Sequence, residues 1–103
     1  QFIKEYDLSI IPAITTAHPM IYSNYPNPSS DLVNILYHLP EDAHIDILIY
    51  DILGREIEQI ESAYKSEGYY TLDWNSKNHS SGEYFIRLSS GETNDTKKVV
   101  LIK

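Results

Sequence analysis

The side chains that could do chemistry in this chain are few and scattered. His38 and His44 flank the stretch Pro40 to Ala43, and with Asp42 or Asp46 nearby they offer nitrogen and oxygen donors to a metal. A closed structural zinc site takes four ligands in tetrahedral array, and two imidazoles fall short of it. They read instead as outward polar residues on paired strands. "DWNSKNHSSGE" brings Asp73, Asn75, Asn78 and Glu83 together, oxygen donors of the kind calcium takes. The alternate spacing of a calcium loop is missing, and turn-forming residues give the same composition. Glu56, Glu58 and Glu61 could be paired carboxylates, yet on an exposed strand they make a solvated face that discourages edge pairing. Serine and histidine occur without a Gly-x-Ser-x-Gly elbow, and no phosphate-cradling glycine loop is present. No nucleophile–base pair can be assembled from these parts. The expectation is a chain with no catalytic residue, no metal and no cofactor.

Composition narrows the partners. The 103 residues carry 15 acidic and 8 basic side chains, a net charge of −7. Such a balance excludes sequence-independent nucleic-acid binding, which sets Lys and Arg against phosphates. It also opposes adsorption to an anionic membrane surface. Lys97, Lys98 and Lys103 are the one local basic cluster, either the soluble face of a last strand or a recognition tag. Cysteine is absent, so there are no disulfides or thiolate metal sites. No apolar run reaches the 18 residues or so of a membrane-spanning helix, and membrane insertion is not expected. The opening "QFIKEYDLSI" lacks the basic-then-apolar order of a signal peptide and starts at Gln1, so a processed protein or a piece of a longer one is expected. Nine tyrosines against two phenylalanines suit half-buried strand faces and interfaces.

The hydrophobic rhythm has period two from Asn24 onward. Val33, Ile35, Tyr37 and Leu39 share one parity, as do Ile45, Ile47 and Ile49 in the next segment. Strands with one buried face read this way. Pro40 to Ala43 separates the two as a turn, and "DILGRE" makes another around Gly54. Ile57 and Ile60 mark a shorter, charged strand suited to an edge, followed by a loop at "SAYKSEG" with room for a single helical turn near Glu61 to Ser66. "YYTLDWN", with Tyr70, Leu72 and Trp74 on one face, "EYFIRLS", with Tyr84, Ile86 and Leu88, and "TKKVVLIK" complete six strands. Met20 to Asn24 can supply a seventh. Turns every 8–12 residues or so are the spacing of a sandwich or barrel. The expected fold is all-β, an immunoglobulin-like antiparallel sandwich of about seven strands. Its expected core is Val33, Ile35, Tyr37, Ile45, Ile47, Ile49, Leu72 and Trp74, with the indole between the sheets. Residues 1–23 are expected to be a linker or the last strand of a preceding domain, including a strand in "FIKEYDLSIIP", and 24–103 the sandwich.

"NYPNPSSDLVNI", "IYDILGREI", "GYYTLDWN", "SGEYFIRL" and a final "TKKVVLIK", in that order, resemble the C-terminal sorting domain (type A) of the type IX secretion system. That family is in turn similar to the immunoglobulin-like domain of flagellar hook-capping proteins. The matching positions are Pro26, Asn27 and Pro28, then Asp51, Gly54 and Arg55, then Gly82, Tyr84 and Arg87, then Lys98, Val100, Leu101 and Lys103. Ser29 departs from the Phe or Ala of many members. The resemblance implies a non-catalytic domain that takes a secreted cargo through the periplasm to the cell surface or the medium. Its implied partners are the outer-membrane secretion and surface-attachment machinery and an upstream cargo domain. Recognition is expected on Lys97, Lys98, Val99, Val100, Leu101, Ile102 and Lys103, a terminal strand whose edge a receptor could extend.

Two other readings stand beside this one. Residues 1–23 could complete a neighbour's sandwich as a donated strand, making the chain a structural subunit and a homo-oligomer. Tyr69, Thr71 and Asp73 on an outward face could instead form the platform of a carbohydrate-binding module.

Overall fold

The computed structural model describes residues 18–27 and 30–103. Seven strands follow one another: β1 (Met20–Tyr25), β2 (Leu32–Leu39), β3 (Ala43–Asp51), β4 (Glu56–Lys65), β5 (Gly68–Asn75), β6 (Gly82–Ser90) and β7 (Thr93–Leu101). They form a three-stranded sheet in the order β1-β2-β5 and a four-stranded sheet in the order β4-β3-β6-β7. Every pairing is antiparallel. The two layers make the immunoglobulin-like sandwich that the period-two pattern predicts. The seventh strand foreseen at Met20 to Asn24 is β1. The strand expected within "FIKEYDLSIIP" lies outside the described residues, as do Pro28 and Ser29.

Alternation is what builds the core. Val33, Ile35, Tyr37 and Leu39 of β2 point inward against Ile45, Ile47 and Ile49 of β3, Tyr84, Ile86 and Leu88 of β6, and Val99 and Leu101 of β7. Trp74 is the largest side chain of this cluster and is buried. It belongs to β5, yet its indole Nε1–H donates to Glu58 Oε1 of β4 in the other sheet at 3.0 Å. Leu72 is half-buried and packs on the flank of the cluster. Burial pushes the Tyr37 hydroxyl up to about 12, with Glu61 and Tyr70 adding to the effect.

Two local expectations are corrected. No helical turn forms near Glu61: β4 is the longest strand and absorbs Ser62 to Lys65, which read as a loop. Two register shifts explain the missed alternation. Ile47 and Leu48 face Glu61 and Gln59, and Ile49 and Tyr50 face Glu58 and Glu56, so Ile60 and Ile57 are the bulged residues. Both turn inward onto the core. A bulge re-aims side chains in this way, and it suits an edge strand. The second correction concerns the histidines. β2 and β3 lie in different sheets, so Pro40 to Asp42 is a corner between layers and not a hairpin. His38 stands beside Tyr69 on the first sheet and His44 opposite Tyr64 on the second.

The sandwich has two poles. The described chain enters at the proximal pole, where Met20 faces His38, and β2 ends there at Leu39 opposite Gly68. Residues 20–23, part of the segment expected as a linker or donated strand, lie in an edge strand of the chain's own sheet. The distal pole gathers the β1–β2 connection, the β3–β4 hairpin, the β5–β6 loop and the end of β7, since Leu32 faces Asn75, Asp51 faces Tyr84 and Gly82 faces Leu101.

Replacing Trp74 by Ala should cost about 3–5 kcal/mol, a large share of the ~5–15 kcal/mol that holds such a domain together. Chemical denaturation reads this loss. Trp74→Phe, which keeps most of the ring but drops the Nε1–Glu58 bond, should cost clearly less.

Candidate functional site

The distal pole is built from short loops held by internal hydrogen bonds among the described residues. Asp51 closes the β3–β4 hairpin with its own backbone, donating N–H to Arg55 O at 2.9 Å and accepting from Gly54 N–H at 2.9 Å. Its side chain adds three more bonds: Oδ1 accepts from the N–H groups of Leu53 and Arg55, each at 2.9 Å, and Oδ2 meets Arg55 Nε at 2.8 Å. The chain can turn this sharply because Gly54 takes φ of 83°, a conformation that glycine adopts without steric cost. The Arg55 N–H first, then its guanidinium and the Leu53 N–H, hold the Asp51 carboxyl below the usual aspartate range against an opposing effect of desolvation. At the tip, Ile52 and Leu53 are 64% and 73% exposed.

Across a groove of about 500 Å³ from that tip run the β5–β6 loop from Asn78 to Ser81 and the start of β6. This loop is held from within. Tyr84 Oη–H donates to Ser80 O at 2.8 Å, four residues back, the geometry of the tyrosine corner of immunoglobulin-like domains. Gly82, two residues before Tyr84, takes φ of 149°, a conformation that other residues rarely adopt. Tyr70 repeats the device at the proximal pole, donating to Ser66 O at 2.7 Å. His79 Nε2 lies 3.1 Å from Glu58 Oε1, the same oxygen that receives the Trp74 indole. The loop is therefore stapled to the core.

The β1–β2 connection and the chain's last residue complete the pole. The Tyr25–Pro26 peptide is cis. Asn27 reaches β7: Val100 N–H donates to its Oδ1 at 3.0 Å, and its Nδ2 donates to Lys98 O at 3.2 Å. Lys103 N–H donates to Ser81 Oγ at 2.9 Å, while its ammonium donates to Ser76 O at 2.8 Å and sits 3.5 Å from Asp31 Oδ1. Ser76 in turn donates its N–H to Asp31 O at 2.8 Å, and its hydroxyl donates to the same oxygen.

The secretion system C-terminal sorting domain family matches residues 23–103. The chain belongs to the sorting domains of the type IX secretion system. Export to the cell surface or the medium is what such a domain directs. No curated protein matches the chain. Among solved structures, a selenomethionine-labelled β-glucosidase from Kluyveromyces marxianus superposes with a TM-score of 0.61 at 12% identity, over 84% of this chain and 14% of that one. That likeness concerns the fold alone.

Most of the sorting domain's motif residues meet at the distal pole. Asp51, Arg55, Gly82 and Tyr84 line one groove, and Asn27 and Lys103 are tied in beside it. Arg87, its guanidinium 4.5 Å over the Tyr50 ring on the outer face of the four-stranded sheet, lines a second groove with Asp51, Ile52 and Gly54. Pro28 lies outside the described residues. The stretch Lys97 to Lys103 divides by parity: Val99 and Leu101 are core, Lys97 and Val100 are half-buried, and Lys98 and Ile102 are exposed. Its edge is less open than a bare last strand, because Asn27 already covers Lys98 and Val100. The tip residues Ile52 and Leu53 went unnoticed in the sequence. The available signal was an apolar pair between an aspartate and a glycine, where turns are normally polar.

Three of the donors considered for metals are engaged elsewhere. Asp42 accepts the Glu67 N–H, Asp73 accepts from Asn34, and Asn75 accepts the Lys77 N–H. Among the described residues no three His, Cys, Asp or Glu side chains come together as a metal site.

Because the folded carboxyl of Asp51 titrates below its unfolded value, its contribution to the hairpin is present above the ordinary aspartate range and is lost as pH falls through the lowered value. Amide exchange at Leu53 and Arg55 should accelerate as that range is crossed downward, beyond the chemical pH dependence of free amides. Asp51→Asn should abolish the step.

Proposed function

We propose that this domain delivers an upstream cargo to the type IX outer-membrane machinery, and that the machinery reads the distal pole. One observation carries the reading: the residues shared with the family converge at the end of the sandwich remote from where the described chain enters. A cargo attached upstream would then lie away from the reading surface. The pole presents apolar Ile52, Leu53 and Ile102, and three of its cations are paired, Arg55 with Asp51, Lys98 with Glu83 at 4.0 Å and Lys103 with Asp31. A surface of that kind suits a largely uncharged pocket with polar rims. The fold makes truncation of the last strand a poor probe of recognition. Removing residues 97–103 would take Val99 and Leu101 out of the core, so lost export would report unfolding as readily as lost recognition.

A second reading has one specific observation in its favour. Tyr69, Thr71 and Asp73 are indeed exposed on the outer face of the three-stranded sheet. Tyr69 lies 4.4 Å from the His38 ring and stacks with Tyr22 at 5.8 Å, as centroid distances. A hydrogen bond with Tyr69 holds the Tyr22 hydroxyl above its ordinary range. Exposed aromatic rings with hydroxyls and amides alongside can stack and hydrogen-bond a sugar, as in a carbohydrate-binding accessory module.

For the first reading, the double substitution Ile52→Ser and Leu53→Ser in a reporter fusion should leave the fold intact and lower export by about tenfold, since each buried anchor of an interface is worth about 1 kcal/mol or more. Tyr64→Ser, equally exposed at the proximal pole, is the control. Equal export of the two variants excludes the distal pole as the reading surface. For the second, affinity electrophoresis over a polysaccharide panel should show retardation that Tyr69→Ala removes, and no retardation in any gel dismisses the platform.

A further inference from the structure

β7 is an edge strand, and its backbone groups alternate between facing β6 and facing away. The outward set includes Lys98 C=O and Val100 N–H, since both meet Asn27. The other half of the edge is closed differently: Asp95 Oδ2 accepts the Ile21 N–H of β1 at 2.7 Å. A carboxamide carries the donor and acceptor of a peptide group. Asn27 therefore makes with β7 the bonds that an extended chain lying alongside would make. The proline before it has a fixed φ, and the proline after it restricts Asn27 to extended conformations, so the side chain is presented by a stiff support.

We infer that the β7 edge from Lys98 to Ile102 is the docking site for an extended strand of the export machinery, with Asn27 as a placeholder that this strand displaces. The inference deepens the sorting reading and rests on it. The partner's chemistry is that of a backbone: it needs N–H and C=O groups at strand spacing and takes little information from Val99 and Leu101, which face the core. Sequence selectivity falls to Lys98 and Ile102, the exposed side chains on the same stretch. Strand addition to a sheet edge divides affinity and specificity in this way.

Three variants of the full chain, fused behind a secreted reporter in cells that carry the type IX machinery, test it. Asn27→Ala and Val100→Pro both lose the Asn27–Val100 bond, but only the proline removes a donor from the edge. Lys98→Pro does the same one step along. Proline is tolerated on an edge strand where its missing N–H faces away from the ladder, so all three should keep a strand-dominated circular-dichroism spectrum. Asn27→Ala, which uncovers the edge, should export more than the unmodified domain, and the prolines should export about tenfold less than that domain, the scale of one lost hydrogen bond. Proline variants that export as well as Asn27→Ala overturn the docking edge and leave sorting intact. Asn27→Ala export falling with that of the prolines overturns the placeholder. Prolines that lose the strand spectrum overturn the outward placement of these N–H groups. Retention of the unmodified fusion in the periplasm refutes the sorting reading itself.

Discussion

Two open sheets stacked face to face leave four strand edges, and an uncovered edge is a template for unwanted pairing. This molecule is organised around closing them. On one side, β1 and β7 approach each other across the layers, and the seam is joined by the Asp95 carboxylate on the Ile21 amide and by Asn27 on β7. On the other side, β4 and β5 are joined by Glu58, which receives the Trp74 indole and lies beside His79. There β4 also carries two bulges, and the glutamates expected as a solvated face are not one: Glu56 is exposed, but Glu58 and Glu61 are half-buried. Side chains thus finish at the seams what backbone ladders do inside each sheet. Burying the indole at such a seam lets one residue both fill the core and cross between layers.

The same economy explains why the distal pole can serve as a display. Its described loops are held by local bonds: Asp51 clamps the hairpin, Tyr84 the β5–β6 loop, and Ser76 with Lys103 ties Asp31 to the end of the chain. Little conformational entropy remains to be lost when a partner arrives, and ordering costs of that kind separate weak from tight interfaces of equal area. Rigidity also makes the exposure of Ile52 and Leu53 tolerable, because a clamped tip cannot fold them back onto the core.

The fold was largely legible because period two survives wherever a strand is straight and one face is buried. β2, β3, β6 and β7 each announce themselves by parity, and Trp74 announces the core. β4 was legible as an edge strand at Ile57 and Ile60, but its full length hid because two bulges break the alternation and Ser62 to Lys65 read as a loop. The partition of β2 and β3 between sheets hid because a three-residue corner and a three-residue hairpin look alike until the long-range partners of each strand are known. At the pole, Gly54, Gly82 and Tyr84 were visible as a pattern shared with a family. Their meeting in one place was not visible, since Asn27 and Val100 are 73 positions apart.

Magnitudes decide whether a capped edge can also be a docking edge. A net hydrogen bond is worth about 0.5–1.5 kcal/mol, so the Asn27 cap holds β7 by roughly 1–3 kcal/mol before the entropy of its loop is counted. An incoming strand replaces those two bonds with equivalents, so the exchange at Lys98 and Val100 is close to neutral, and any further backbone bond toward Ile102 tips it. The ladder between β6 and β7 is in a different class, because breaking it would expose Val99 and Leu101, each worth about 1.5–3 kcal/mol of burial. The cap is therefore weak enough to yield while the strand beneath it stays in place. A single carboxamide suits that position, since a longer strand of the chain's own would hold the edge too firmly to be displaced.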